Sequence, residues 1–284
     1  MITDDITNIV YFSGQLPIKC PVLSQNLTAV LQNHGVPYAF LSKTKDIWCR
    51  DFMPIQVEKD RFVFYQYMPN YLRDALRLQT NTEEVFRAGE NQLQHLLQSA
   101  VAIDLVIDGG NVVKCGDTVV MTEKVFAENK TKTRSEVERI LKDAFQCELL
   151  FLPWDHQEKF GHSDGIIHYA DNGKVILTNY NDISPYYYNR FRKALEKRFE
   201  VIPLKYMTKR PHARSWAYIN FLQIGELVLV PQLGLEEDEQ ALEQISNALP
   251  NCEVVGIPAL ESVRRGGALN CISWNIKATN HEKH

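Results

Sequence analysis

Four β-hairpins built to one plan recur along the chain, and no other feature restricts its fold so much. Each is a β-rich run, a tight turn of Gly, Asp, Asn or Lys, and a second β-rich run. They cover Pro54–Tyr65, Asn111–Met121, Gly165–Leu177 and Asn220–Val230. Helical patterns alternate with them. Ser24 to about Gln32 is one, ended by Gly35. Thr82 to about Ser99 is a second, weakened by Gly89. Thr133-Arg-Ser-Glu136 is a capping box that opens a third, with Val137, Ile140, Leu141 and Ala144 on one face. Ser184-Pro185 caps a fourth, running to about Phe199, and Leu235 to about Leu249 is a fifth, stopped by Pro250. A short apolar strand follows each helix: Tyr38–Leu41, Ala102–Val106, Glu148–Leu152, Glu200–Pro203 and Glu253–Ile257.

The unit therefore repeats about five times at a spacing of roughly 50–60 residues. Cys271–Asn275 opens a fifth hairpin that lacks its second strand. That shortage predicts circular closure, with the N-terminal run Ile9–Phe12 completing the last blade. The expected fold is α/β, a five-bladed pseudosymmetric α/β propeller in one closed domain over residues 1–284. No Pro/Ser/Gly-rich linker divides it. A hydrophobic share of 45% is enough to fill its core.

Composition removes several function classes. A net charge of -4 argues against a nucleic-acid partner. No run approaches the ~18 apolar residues of a membrane span. The start, Met-Ile-Thr-Asp-Asp, does not read as a signal peptide. Six scattered cysteines read as free thiols, and a cytoplasmic location is expected. No zinc spacing appears, and neither metal nor cofactor is expected. Homo-oligomerisation is left open.

In a closed array, the same loop of every unit faces the same end. These loops carry Asp46-Ile-Trp48-Cys49-Arg50-Asp51, Asp108-Gly-Gly-Asn111, Gly161-His162-Ser163-Asp164-Gly165, Ser215-Trp-Ala-Tyr-Ile-Asn220 and Gly267-Ala-Leu-Asn270-Cys271. Singly each has a plain structural reading: Cys271 as a packed thiol, His162 as a satisfied histidine, Asp108 as a turn residue, Asp51 as a partner of Arg50. Together they suggest chemistry on a guanidinium. Two carboxylates match its forked donors, a cysteine can attack its central carbon, and a histidine can move protons. Trp48 suits the guanidinium face or the alkyl stem behind it. Arg264 and Arg265 would favour the Cys271 thiolate if they point toward it.

Trp48-Cys49-Arg50-Asp51, Gly161-His162-Ser163-Asp164, Tyr218-Ile-Asn220-Phe221 with Leu229-Val-Pro-Gln232, and Gly266-Gly-Ala-Leu-Asn-Cys271 resemble the guanidine-modifying deiminase superfamily. The branch is that of agmatine deiminases and bacterial-type peptidylarginine deiminases. The resemblance implies the pentein fold, which agrees with the repeat. It implies Cys271 as nucleophile, His162 as general acid and base, and Asp51 and Asp164 as guanidinium carboxylates. Trp48, Asp108 and Asn220 are the implied substrate-side residues, Asp108 standing where many relatives have Glu and Asn220 in a structural part. The implied substrate is a small guanidino molecule, agmatine first, giving a ureido product and ammonia without cofactor, in a polyamine biosynthetic role. Three features depart from the pattern: Asn270 where agmatine deiminases commonly have His, Phe52-Met53-Pro54 after the first Asp, and a shorter chain. Other readings are deimination of peptidylarginine or another arginine derivative, amidino transfer, a metallohydrolase built on His156, His162, Asp164 and His168, and a non-catalytic pentein binding module.

Overall fold

The structure, a computed structural model, describes residues 1–88, 93, 100–208 and 211–278. Among these described residues are five three-stranded sheets, one per repeat. The strands in chain order are β1 (Ile9–Ser13), β2 (Tyr38–Leu41), β3 (Ile55–Glu58), β4 (Arg61–Gln66) and β5 (Ala100–Val106). Then come β6 (Val113–Cys115), β7 (Thr118–Thr122), β8 (Glu148–Leu152), β9 (Ile167–Tyr169) and β10 (Lys174–Leu177). The last are β11 (Glu200–Pro203), β12 (Leu222–Ile224), β13 (Leu227–Gln232), β14 (Glu253–Pro258) and β15 (Ser273–Ile276). In the four inner blades a hairpin pairs antiparallel, and its second strand pairs parallel with the strand beyond. Parallel pairing needs a crossover, which explains the alternation of hairpin and helix in the sequence.

The ring closes as the truncated repeat requires. β1 pairs antiparallel with β15, from Ile9 opposite Ile276 to Phe12 opposite Ser273, and parallel with β2. Trp274 secures the seam. Its ring lies among Tyr11, Phe62 and Phe86, at centroid distances of 5.2, 6.1 and 5.9 Å. Its indole N–H donates to the Pro54 carbonyl at 2.8 Å, so the largest apolar side chain of β15 also satisfies its one polar atom.

The helices follow local signals. Thr133 and Glu136 form the capping box, and the helix Arg134–Phe145 ends at Gln146 in the left-handed conformation. It buries Val137, Leu141, Ala144 and Phe145 against Val119 and Met121 of β7. Ser184 caps Pro185–Leu195, and the last long helix spans Glu237–Ala248. The first, expected from Ser24, begins earlier at Pro21, where proline suits the opening turn. Of the stretch predicted helical from Thr82, Thr82–Ala88 is helical, and the part containing Gly89 lies outside the described residues, apart from position 93.

Candidate active site

Five short turns, each just ahead of the first strand of a blade, meet at one end of the ring. They are Cys49–Phe52, Gly109–Asn111, Ser163–Gly165, Ser215–Ile219 and the loop ending at Cys271. Hydrogen bonds run between them. Gly110 N–H donates to Asp51 Oδ1 at 3.0 Å, Arg50 N–H to the Cys271 carbonyl at 3.1 Å, and Asn270 N–H to the Asn220 carbonyl at 3.0 Å.

Gly110 shows how close the functional groups come. A Cβ there would stand 2.7 Å from His162 Nδ1, 2.8 Å from Asp51 Oδ1 and 3.2 Å from Asp164 Oδ2. Asp164 Oδ2 in turn lies 3.7 Å from Cys271 Sγ. A cysteine sulfur, an imidazole nitrogen and two carboxylates thus surround one small space, which glycine leaves open. Gly267 does the same beside Cys271, where an added Cβ would overlap Trp48 Cζ3 and stand 3.0 Å from Cys271 Cβ. Trp48 therefore lies over the Gly-Gly turn, half-buried, next to the thiol.

Each acidic group is held by identifiable donors. Besides Gly110, Asp51 accepts from the Tyr71 hydroxyl at 2.5 Å. Burial raises its pKa, and although the nearby His162 charge lowers it, the net shift is upward. Asp164 Oδ2 accepts from Asn270 Nδ2 at 2.8 Å. Arg50 fixes that amide: its Nη2 donates to Asn270 Oδ1 at 2.8 Å and to Asn275 Oδ1 at 2.7 Å. Arg50 therefore supports Asp164 through Asn270 rather than pairing with Asp51. Sequence spacing could not show this, because the arginine lies 220 residues from the asparagine.

His162 is fixed on its other side. Nε2 lies 3.0 Å from Asp108 Oδ2, and Nδ1 faces the Gly110 space, 3.7 Å from Asp51 Oδ1. Burial alone would discharge the imidazole, but the Asp51 charge and then the Asp108 bond outweigh it, raising the pKa to about 9. The substrate-free site at neutral pH thus holds an imidazolium. Cys271 behaves oppositely: burial first, then the Asp164 and Asp51 charges, push the thiol well above its ordinary range. Arg264 and Arg265 do not counter this. Both are exposed, and Arg265 Nη2 donates to the Lys19 carbonyl.

Two residues expected on the substrate side are turned to protein partners. Asp108 is fully buried, with Oδ2 bonded to His162 and to Lys124 Nζ at 2.6 Å. Asn220 accepts from the Cys271 N–H at 3.2 Å and donates to the Asp164 carbonyl at 3.4 Å, stapling the Cys271 loop. Lys124, from the short helix Lys124–Glu128, was not foreseen; its sequence surroundings resemble an ordinary solvated helix start. Four side chains suggested for a metal do not converge. His168 stacks on Phe221 and bonds Gln223, and His156 packs on Trp154. Among the described residues no three of His, Cys, Asp or Glu form a metal-sized cluster.

Comparison with known proteins decides the family. The profile of the Porphyromonas-type peptidyl-arginine deiminases matches residues 17–276. The chain belongs to that family. A protein named "Putative agmatine deiminase" from Vibrio parahaemolyticus is 27% identical over 210 residues, 61% of this chain and 58% of that protein. The chain thus spans less than two thirds of that relative. A second of the same name, from Photobacterium profundum, is 24% identical and covers 82% of this chain and 75% of its own. The solved agmatine deiminase of Enterococcus faecalis superposes with a TM-score of 0.73 at 21% identity, over 97% of this chain and 95% of that one. The solved "C. Jejuni Agmatine Deiminase" superposes with a TM-score of 0.70 at 18% identity, over 98% of this chain and 96% of that one. These solved chains have the fold of this Porphyromonas-type deiminase family member, the closed five-bladed pentein.

Proposed function

We propose that the chain is a cysteine-dependent deiminase that hydrolyses a guanidino substrate to a ureido product and ammonia. The observation that supports it most strongly is the convergence of Cys271 Sγ, His162 Nδ1, Asp51 and Asp164 around Gly110. Agmatine is the first substrate, on the names of the relatives, which would place the reaction in polyamine biosynthesis. Peptidylarginine is the second, on the name of the family. A cytoplasmic location follows from reading all six cysteines, which are unpaired, as thiols kept reduced. No described helix is long and apolar enough to cross a membrane.

The proposed reaction uses this arrangement. Asp51 and Asp164 take the N–H groups of the cation, and its charge replaces the field that kept Cys271 protonated. The thiol proton leaves to solvent, and the sulfur bonds to the guanidinium carbon. His162 passes its Nδ1 proton to one nitrogen, the C–N bond breaks, and ammonia departs, leaving a thiouronium cation on Cys271. The neutral imidazole then takes a proton from water as its oxygen bonds to the carbon. The C–S bond breaks, the hydroxyl proton passes to the departing sulfur, and the urea leaves with the Cys271 thiol restored, while the ammonia released earlier takes up the proton that the thiol gave to solvent.

The test is incubation with agmatine, free arginine and an arginine peptide, scoring ammonia and ureido product. Ureido product with one of them is the expected result. An amine by-product or a new guanidine would assign the chain to another guanidine reaction, and no product on any of them would remove the proposal.

A further inference from the structure

Behind His162, away from the Gly110 space, lies a buried charged cluster that the reaction above does not use. Lys124 Nζ, with no exposure, lies 2.6 Å from Asp108 Oδ2, 3.1 Å from Glu128 Oε1 and 3.5 Å from His162 Nε2. We propose that Lys124 is a positioning residue: its ammonium, shared among Asp108, Glu128 and the rear nitrogen of His162, keeps the imidazole neutral, once it has given its proton to ammonia, for the hydrolytic half of the cycle. This rests on the deiminase reading of the site.

The geometry supports more than a structural ion pair. Lysine and histidine compete for one oxygen, Asp108 Oδ2, at 2.6 and 3.0 Å, while Asp108 Oδ1 has no protein partner. The closer ammonium draws the shared charge from the imidazolium. The ionisable groups around His162 come from four elements: Asp51 from the turn Cys49–Phe52, Asp108 ahead of Gly109, Lys124 and Glu128 from their short helix, and Asp164 from its own turn. Tyr71 stands edge-on to its ring. Among these Lys124 is the one cation. Its charge lowers the His162 pKa, against Asp51 and Asp108. Burial, then the charge of Asp108, raises Glu128 to about 7, so Glu128 is anionic where His162 titrates. The packing reserves the place: a Cβ on Gly161, which has a φ of +67°, would approach Lys124 Cδ to 3.1 Å.

The requirement comes from the chemistry. After donating to ammonia, His162 must stay neutral until water attacks. In the covalent intermediate the thiouronium charge offsets Asp51 and Asp164 while Lys124 offsets Asp108; without Lys124 the ring would take up a solvent proton more readily, and the thiouronium would persist.

The test is NMR titration of the His162 imidazole in the full-length free protein, with Lys124→Met, Lys124→Arg and Glu128→Gln. The expected result is an upward shift of roughly one pH unit or more in Lys124→Met. Lys124→Arg should stay near wild type, and Glu128→Gln should move downward. If Lys124→Met does not fold, the Lys124→Met/Glu128→Gln pair and the Glu128→Gln shift decide. A second readout is the turnover deficit of Lys124→Met, which should shrink as pH rises, with the Cys271 adduct accumulating at pH 7. An unmoved titration, or a deficit equal at every pH, would overturn the role. Because titration needs no turnover, a protein inactive on every guanidine would remove the deiminase reading without deciding this result.

Discussion

Replacing Gly110 by alanine tests whether the groups proposed as catalytic act where the structure brings them together. The added Cβ would stand 2.7 Å from His162 Nδ1 and 2.8 Å from Asp51 Oδ1. Ordinary contact begins at about 3.4 Å, so the two atoms must withdraw by about 0.7 and 0.6 Å. The neighbours that must move are side-chain tips, and Gly110 is not among the positive-φ glycines, so the backbone conformation itself accepts alanine. Overpacking of this kind costs about 1–3 kcal/mol of stability. The effect on turnover is larger, because a displacement approaching 1 Å of groups that must align costs on the order of 100-fold in rate. The assay is kcat/KM on the accepted guanidine beside thermal unfolding of the same preparation. A Gly110→Ala protein that stays folded and keeps kcat/KM within about threefold of wild type would refute the arrangement.

Other consequences are equally direct. With an imidazolium titrating at about 9 and a thiol above it, the attacking state carries one proton fewer than the resting site. Initial rates should therefore show kcat/KM rising about tenfold per pH unit toward pH 9 and levelling there; a flat profile from 7 to 9 would contradict the assignment. Because the folded pKa of His162 is raised above its ordinary 6.5, its contribution to stability is complete below that value and lost as pH rises through about 9. Melting temperatures of His162→Gln should lack that part of the decline. Asn270→Asp would put a carboxylate where an amide donates to Asp164 at 2.8 Å, and should lower kcat/KM about 100-fold or more, whereas a small loss would show that this donor is dispensable. Trp274→Ala should cost roughly 3–5 kcal/mol in denaturant unfolding, since it empties the seam where the ring closes.

The architecture was largely written in local patterns. Hairpins and capping signals are short-range, and an unpaired fifth hairpin demands a partner strand, so β1 beside β15 could be read without coordinates. The loop groups were legible because a repeat sends equivalent loops to one end. Orientation within those loops was not. Arg264 and Arg265 adjoin the Cys271 loop in sequence yet are exposed, while Arg50, distant in sequence, reaches Asn270. Asp108 was readable as a site residue, but that it faces His162 and Lys124 depends on side-chain packing across blades. Lys124 left one faint signal, a lysine four residues before Glu128 in an otherwise apolar helix turn, which is also how a solvated lysine looks.

The central claim, covalent guanidine chemistry at Cys271, is tested most directly by acid-quenching the protein during turnover of agmatine or whichever guanidine it accepts, and locating added mass by peptide mass spectrometry. The account predicts an adduct on Cys271 equal to the substrate less ammonia, and loss of both adduct and turnover in Cys271→Ala. Turnover that persists in Cys271→Ala, or an adduct on another residue, would contradict it.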